Sequence, residues 1–259
     1  MLGRMDAVAR GRATDFVTAL DDACAETVTA CPGGHALLDT RHSALWSANH
    51  LRVETPDPPA AAGLDEAAGG LFDALGFRMI TVLDEPAGRL LSEPLAALGY
   101  AAAHELLMIG GPQTASAERS DAVVDVTHED LEASRQAAQV EQGRDAQIGR
   151  QLATRDALIG TVVDVRRLAI LIDGEVAARC QIHSGGGVAQ IENLYITPAH
   201  RGRGLSRVLA ESAVYEARAA GAELLFGIAD AADWPQAFYR RLGFTDAGLL
   251  PRFLRTGPA

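Results

Sequence analysis

The sequence predicts a mixed α/β protein, an α+β arrangement with parallel and antiparallel strands in its sheets, made of two domains. Apolar residues recur with strand-like and helix-like periods in alternation along most of the 259 residues. Asp173-Gly174 lies between two apolar runs, which is typical of an antiparallel hairpin. The segment 111–121 is small and polar, as linkers are, so we place domains at 1–113 and 119–259.

The first half begins with a helix, because Phe16, Val17, Leu20 and Cys24 follow the helical period. A proline-rich run at 56–63 then predicts a loop. The full predicted order is helix 12–30, strands 35–40 and 49–55, loop 56–63, helix 64–75, strand 78–84, helix 87–98 and strand 103–110.

The second half has the same alternation, with the hairpin at Asp173-Gly174 near its middle. Its predicted order is strand 122–126, helices 128–142 and 144–157, the two hairpin strands, strand 188–197, helix 202–220, strand 223–229, helix 233–242 and two short strands from Phe244. The halves resemble each other: Gly76 and Gly99 are separated by 23 residues, and Gly221 and Gly243 by 22. This order predicts a duplication, although α/β proteins also repeat such elements by chance.

Composition excludes several classes of function. The net charge is −11, and all 23 basic residues are arginine, which argues against binding to duplex nucleic acid or to an anionic membrane. Three cysteines without a CxxC pair and histidines without ligand spacing predict no metal site. The odd number of cysteines predicts a reduced, cytoplasmic protein, and no stretch approaches the roughly 20 apolar residues of a membrane helix.

The most informative segment is IENLYITPAHRGRGLSRVLAESAVYEAR at 191–218. A strand ends at Thr197-Pro198, and Arg201-Gly202-Arg203-Gly204 opens a helix. Glycines let the backbone approach a ligand, and the free N–H groups of a first helical turn bind anions. With Arg207 nearby, this loop predicts a pyrophosphate site; the alternative is a tight turn with solvated arginines.

These residues resemble the GNAT superfamily of acyl-CoA N-acyltransferases. The family's V-x-P and R/Q-x-x-G-x-G/A signature is matched by Ile196-Thr197-Pro198 and by Arg201 to Ser206, and its later F-Y-x-x-x-G-F-like signature by Phe238 to Phe244. The resemblance covers about 120–259. Residues 49–110 look like a degenerate copy, in which PDPPAAAG replaces the RGRG loop.

The resemblance implies which residues bind acetyl-CoA. The pantetheine arm is expected between two splayed strands, against the backbone of Leu194, Tyr195 and Ile196. The pyrophosphate is expected at the loop and first helical turn, formed by Arg201, Gly202, Arg203, Gly204, Leu205, Ser206 and Arg207.

The resemblance also implies the chemistry. Tyr239 is the candidate general acid for the thiolate of coenzyme A, with a packing role as its alternative. Glu192 is the favoured base for the amine, although the base stays open because Gly227 stands where many relatives have a glutamate. Ala232 stands where many relatives have an asparagine that contacts the cofactor.

We therefore predict an N-acetyltransferase that moves acetyl from acetyl-CoA to a primary amine of a small molecule or peptide, in a direct ternary-complex reaction without metal. The alternatives are a non-catalytic acyl-CoA-binding or scaffolding protein, and a tandem acyltransferase resembling mycothiol synthase, for which the chain is short. The acceptor is not readable from the sequence, and both a monomer and a homodimer stay open.

Overall fold

A computed structural model describes residues 2–110, 118–233 and 235–257. Its helices are α1 (Leu2–Cys24), α2 (Ala61–Phe72), α3 (Glu85–Ala97), α4 (Glu132–Glu141), α5 (Ala146–Val162), α6 (Leu205–Ala219) and α7 (Pro235–Arg241). Its strands are β1 (Thr27–Cys31), β2 (Gly34–Leu38), β3 (His50–Val53), β4 (Phe77–Val82), β5 (Ala101–Gly110), β6 (Val123–Asp125), β7 (Asp164–Ile172), β8 (Glu175–Gly185), β9 (Val188–Ile196), β10 (Leu224–Asp230) and β11 (Phe244–Thr256). The predicted mixed α/β class is confirmed.

The chain divides into two compact units that are interleaved along the sequence. The first unit contains Met1–Phe16, Met108–Ile228 and Ala237–Ala247, and the second contains Val17–Leu107, Ala229–Gln236 and Gly248–Ala259. Most of the predicted linker, residues 111–117, lies outside the described residues. The assignment of 1–113 and 119–259 to two tandem domains stays a prediction.

In the first unit the strand order is β10-β9-β8-β7-β6. Only β9 and β10 are parallel among these pairs of described strands; the other three pairs are antiparallel. The predicted hairpin joins β7 to β8, and Asp173 (φ 53°) and Gly174 (φ 82°) both take the left-handed conformation that its tight turn requires. Helix α6 packs on β8 and β9, and α5 packs on β7 and α4.

In the second unit the strand order is β1-β2-β3-β4-β11, with β3 and β4 parallel. Its core joins α2 and α3 to the sheet. The fully buried members include Leu51, Leu64, Phe72, Ile80 and Leu95.

Three predicted boundaries are wrong. The first helix ends at Cys24, because the β-branched residues of Thr27–Cys31 pair with β2 in a hairpin closed at Gly33 (φ 77°). The helix expected from 202 begins at Leu205, since Gly202 and Gly204 have positive φ. The two short strands expected after Phe244 are one long strand, β11, despite Gly248 and Pro251 within it.

Candidate active site

The parallel strands β9 and β10 pair only over their first halves. The paired positions run from Leu224↔Val188 to Phe226↔Gln190, whereas β9 continues to Ile196 and β10 to Asp230. Beyond Gln190 the edge of β9 that faces β10 has no strand partner in this register. The strands therefore open at their carboxyl ends, which is the arrangement that the resemblance to the GNAT superfamily implies.

A bulge lies in the open part of β9. The register with β8 shifts between Arg179↔Tyr195 and Gln181↔Glu192, and Asn193 has φ of 54°. A bulge bends its strand and changes the direction of the neighbouring side chains. Leu194, which lies within this irregular segment, is one of the residues predicted to contact the pantetheine arm.

The glycine loop follows directly after β9. Gly202 (φ 75°) and Gly204 (φ 77°) are left-handed, and Gly204 is the N-cap of α6 without any side-chain cap. A methyl group built at either glycine would meet no atom of the described chain within 4 Å. The first turn of α6, which includes Leu205 and Ser206, therefore presents uncapped N–H groups beside open space, which suits an anion.

The three predicted arginines of the loop differ in their partners. Arg201 forms an ion pair with Glu141 (2.7 Å) and also donates to the carbonyl oxygen of Ile196. Arg207 forms an ion pair with Glu211 one helical turn along (2.8 Å). Arg203 is exposed and has no ion-pair partner among the described residues. The positive charge of the loop is thus smaller than the sequence alone suggests.

Tyr239 on α7 is buried, with 5% of its surface exposed. Its ring packs edge-on against Phe238 and Phe244, at centroid distances of 5.6 and 5.2 Å. Burial, with a contribution from the negative charge of Glu192, raises the pKa of Tyr239 above its ordinary value. The phenol is therefore protonated at neutral pH, as a proton donor must be.

Glu192 lies on β9 just beyond the last paired residue, Gln190, whose side-chain amide donates a hydrogen bond to it. Its charge acts on Tyr239, so the two residues predicted from sequence to carry acid and base roles lie within electrostatic range of each other. Gly227, at the corresponding opening of β10, contributes no carboxylate. A methyl group built there would lie 3.3 Å from Cζ of Tyr239.

A row of buried polar residues on β8 escaped the sequence analysis. Arg179, Gln181 and His183 alternate with small and apolar residues, and all three are buried. The His183 ring contacts the Gln181 side-chain oxygen at 3.0 Å, and burial lowers the pKa of His183 to about 4. The sequence signal for this row is the strict alternation R-C-Q-I-H, which by itself indicates only a strand.

A cavity of about 240 Å³ lies beside the bulge. Its wall includes the bulge residues themselves and polar side chains from α4, the following loop, α5 and β8. The lining residues are Arg135, Ala138, Gln139, Gln142, Arg144, Leu152, Asp156, Arg179, Asn193, Leu194 and Tyr195. The cavity thus borders two of the residues that were predicted to bind acetyl-CoA.

Comparison with known proteins agrees with this geometry. Residues 127–244 match the model of the Acetyltransferase (GNAT) family. The family is one of acyltransferases, so acyl transfer in general is the class of chemistry that this match supports. Residues 127–244 belong to the GNAT superfamily, and they contain the RGRG and FYRRLGF motifs. No curated protein matches the sequence.

Solved structures share the fold over most of the chain. A functionally unknown conserved protein from Staphylococcus epidermidis superposes with a TM-score of 0.67 at 13% identity, covering 90% of this chain and 94% of its own. A GCN5-related N-acetyltransferase from Kribbella flavida superposes with a TM-score of 0.61 at 17% identity, covering 95% of each chain. At such identities the likeness extends to the fold alone. In the described part of the chain, no helix is long and apolar enough to cross a membrane.

Proposed function

We propose that the protein is an N-acetyltransferase that moves the acetyl group of acetyl-CoA to a primary amine. The observation that carries this proposal is the end of β9–β10 pairing at Phe226↔Gln190, followed at the end of β9 by an uncapped, glycine-bounded helix start. An opened parallel pair offers backbone groups to an extended pantetheine arm. A helix start offers N–H groups to the pyrophosphate at the other end of that arm.

The chain's residues fit acetyl-CoA as a substrate. Leu194, Tyr195 and Ile196 supply the open strand edge, and residues 202–207 supply the helix start. Arg203 is available to a phosphate without breaking an ion pair in the described structure, whereas Arg201 and Arg207 would have to exchange or share their carboxylate partners. Backbone N–H groups and Arg203 therefore carry most of the phosphate binding in this proposal.

The proposed reaction is a direct attack of the amine nitrogen on the thioester carbonyl carbon, which forms a C–N bond and breaks the C–S bond. Glu192 takes the proton of the amine, directly or through water, and Tyr239 gives its proton to the departing thiolate. An unperturbed alkylamine has a pKa near 10, so under about 1% is nucleophilic at neutral pH and a base is useful. Tyr239 is protonated at neutral pH, because its ordinary pKa is near 10 and burial raises the pKa further.

The first half contributes no second site in this proposal. Its parallel pair, β3 and β4, is matched from Leu51↔Ile80 to Val53↔Val82, and the Leu83 N–H still donates to the Val53 carbonyl oxygen (3.0 Å). This pair is closed where β9 and β10 are open. We therefore propose a degenerate GNAT-like domain at 1–113 and a catalytic one at 119–259, with one acetyl-CoA per chain.

We also propose a cytoplasmic location. The three cysteines form no disulfide bond in the described structure, and Cys24 and Cys180 are buried, which is usual for a protein from a reducing compartment.

One observation favours a second candidate, an acyl-CoA-binding protein without catalysis. Gly227 leaves β10 without the carboxylate that many GNAT relatives carry there, so Glu192, whose charge acts on Tyr239, would have to serve as the base. If Glu192 does not accept a proton, binding would persist and turnover would be lost.

The test combines binding with turnover. Calorimetric titration of the full chain with acetyl-CoA should give one site, and thiol release from acetyl-CoA should then be measured across amines, aminoglycosides, amino acids and peptides. Binding with turnover supports the enzyme, and binding without turnover on any acceptor supports the second candidate. Absence of binding at saturating acetyl-CoA contradicts both.

A further inference from the structure

The cavity beside the β9 bulge contains a buried guanidinium group without a carboxylate partner. Arg179 on β8 is 5% exposed and lines the cavity. Its Nε donates to Ser134 Oγ (3.1 Å), its Nη1 donates to the Asn193 carbonyl oxygen (3.3 Å), and its guanidinium lies 5.1 Å from the centre of the Tyr195 ring. No described carboxylate lies within ion-pair distance of it.

The other charges of the cavity do not neutralise Arg179. The cavity has one carboxylate, Asp156, which contacts His128 (2.9 Å), Arg135 (3.6 Å) and Arg167 (3.5 Å). Arg144 lines the cavity from the α4–α5 loop, contacts Gln139 (3.2 Å) and has no carboxylate partner among the described residues. Two guanidinium groups are therefore uncompensated, in a chain whose net charge is −11.

Two further groups of the cavity lack hydrogen-bond partners. The Nε of Arg135 and the Oδ1 of Asp156 are buried without a partner, and both residues are more than nine-tenths buried. Unsatisfied buried polar atoms are costly, typically by about 1–3 kcal/mol each, so natural proteins keep them mainly where a ligand or ordered water completes the set. The Arg135 Nε requires an acceptor and the Asp156 Oδ1 requires a donor, so the cavity suits a polar group, and the uncompensated Arg179 and Arg144 favour a negative charge on it.

The position of the cavity connects it to the proposed reaction. Asn193, Leu194 and Tyr195 line it, and Glu192 is the next residue along β9. Three residues of a regular strand span roughly 10 Å, and the bulge at Asn193 shortens this distance, so an anion beside Tyr195 and an amine beside Glu192 lie close enough to belong to one small molecule.

We propose that the acceptor amine carries a carboxylate, which binds to Arg179 and Arg144 in this cavity. The inference rests on the proposed acetyltransferase function and specifies its substrate class. The Nη2 of Arg179 donates to no described acceptor, and together with Nη1, which also donates to the Asn193 carbonyl oxygen, it forms an edge whose spacing matches the two oxygens of a carboxylate. A cavity of about 240 Å³ lies below the range of drug-sized pockets, which favours a small acceptor.

The test measures acceptor binding without turnover. The full chain, saturated with coenzyme A, is titrated with L-amino acids, β-alanine and 4-aminobutyrate, each paired with its own carboxamide. At least one acid should bind ten-fold or more tightly than its amide. R179M should remove this preference, R179K should retain part of it through its charge, and R144M, an exposed change that does not threaten folding, should reduce it.

Arg89→Met is the control, because Arg89 is an exposed arginine of the second unit that pairs with Glu85. It should leave the preference unchanged. The proposal is overturned if no acid exceeds its amide at 10 mM, or if R179M and R144M both keep the preference. It is also overturned if R179M weakens coenzyme A binding itself while the preference stays, since the anion would then be a phosphate of the coenzyme. A protein that binds the acids yet never releases thiol from acetyl-CoA would contradict the acetyltransferase function and leave the carboxylate site standing.

Discussion

Gly227 on β10 lies directly against the ring of Tyr239 on α7, with 3.3 Å between Cζ and the place where a Cβ would be. A Cβ at this distance would be tighter than ordinary van der Waals packing, so a side chain at residue 227 would require the ring to move by a few tenths of an ångström. The glycine that leaves β10 without a carboxylate therefore also leaves space for the ring of Tyr239, the candidate general acid.

Gly227→Ala should displace the Tyr239 ring. Overpacking of a filled site typically costs about 1–3 kcal/mol of unfolding free energy, and we expect kcat to fall by about ten-fold or more while the acetyl-CoA Kd changes little. Denaturant unfolding and steady-state kinetics would measure both. Gly160→Ala, in α5, is the control because a methyl group there has ordinary contact distances. An unchanged kcat in G227A would contradict the proposal that the missing side chain at residue 227 sets the catalytic position of the Tyr239 ring.

Tyr239→Phe removes only the hydroxyl oxygen. Because general acid catalysis contributes typically about 10²–10⁴-fold, we expect a kcat loss in that range, with little change in acetyl-CoA affinity. Tyr215→Phe, on the partly exposed face of α6, should leave kcat unchanged. Wild-type turnover by Y239F would limit Tyr239 to a packing role.

Gly204→Glu should abolish acetyl-CoA binding, because it places a carboxylate at the uncapped start of α6 and strains a φ of 77°. Gly76→Glu is a matched control, since Gly76 has φ of 76° and equally open surroundings but lies in the second unit. Both variants should lose similar stability, whereas only G204E should lose binding by at least ten-fold in titration calorimetry. If the two variants bind acetyl-CoA equally well, the prediction that the pyrophosphate binds at this loop is wrong.

His183 should make the fold sensitive to mild acid. Its folded pKa of about 4 lies below the ordinary 6.5, so the unfolded chain binds more protons between these values. The contribution of His183 is present above pH 6.5, decreases as the pH falls toward 4, and amounts to at most about 3 kcal/mol. The free energy of unfolding in urea, measured between pH 4 and 7, should change less steeply with pH for His183→Gln than for wild type. Parallel pH dependences would contradict this role of His183.

Arg179→Met should cost little stability, because burial opposes its charge and lowers the pKa of Arg179 to about 10. The lost hydrogen bonds to Ser134 and Asn193 offset the gain, and we expect the variant within about 1 kcal/mol of wild type, or above it, at pH 7. The paired Arg52, which contacts Asp22 and Glu54, is the contrast: R52M should cost about 3–5 kcal/mol. Equal large losses would show that Arg179 is structural.

The sequence was sufficient for the features that depend on local pattern. The Asp173-Gly174 hairpin and the strand, loop and helix around Gly204 were predictable because turn chemistry and periodicity are local. Two features were not predictable, because each depends on residues that are distant in the chain. They are the packing of α4 over Arg179 and the contact of Gly227 with Tyr239. The end of α1 was missed because strand pairing of Val28 with Leu37 outweighed helical periodicity.

The closed pair β3–β4 has a consequence for anyone who would engineer a second catalytic centre into the first half. Transplanting the Arg201 to Leu205 loop onto residues 56–61 would create a turn able to attract phosphate. The hydrogen bond between Val53 and Leu83 would still hold β3 and β4 together, so the thioester arm could not enter between them. Backbone hydrogen bonds across a sheet are not removed by exchanging side chains. A graft of the motif alone would therefore produce a loop that binds phosphate but catalyses no acyl transfer. Leu83→Pro would have to accompany the graft, because proline has no N–H to donate to the Val53 carbonyl oxygen.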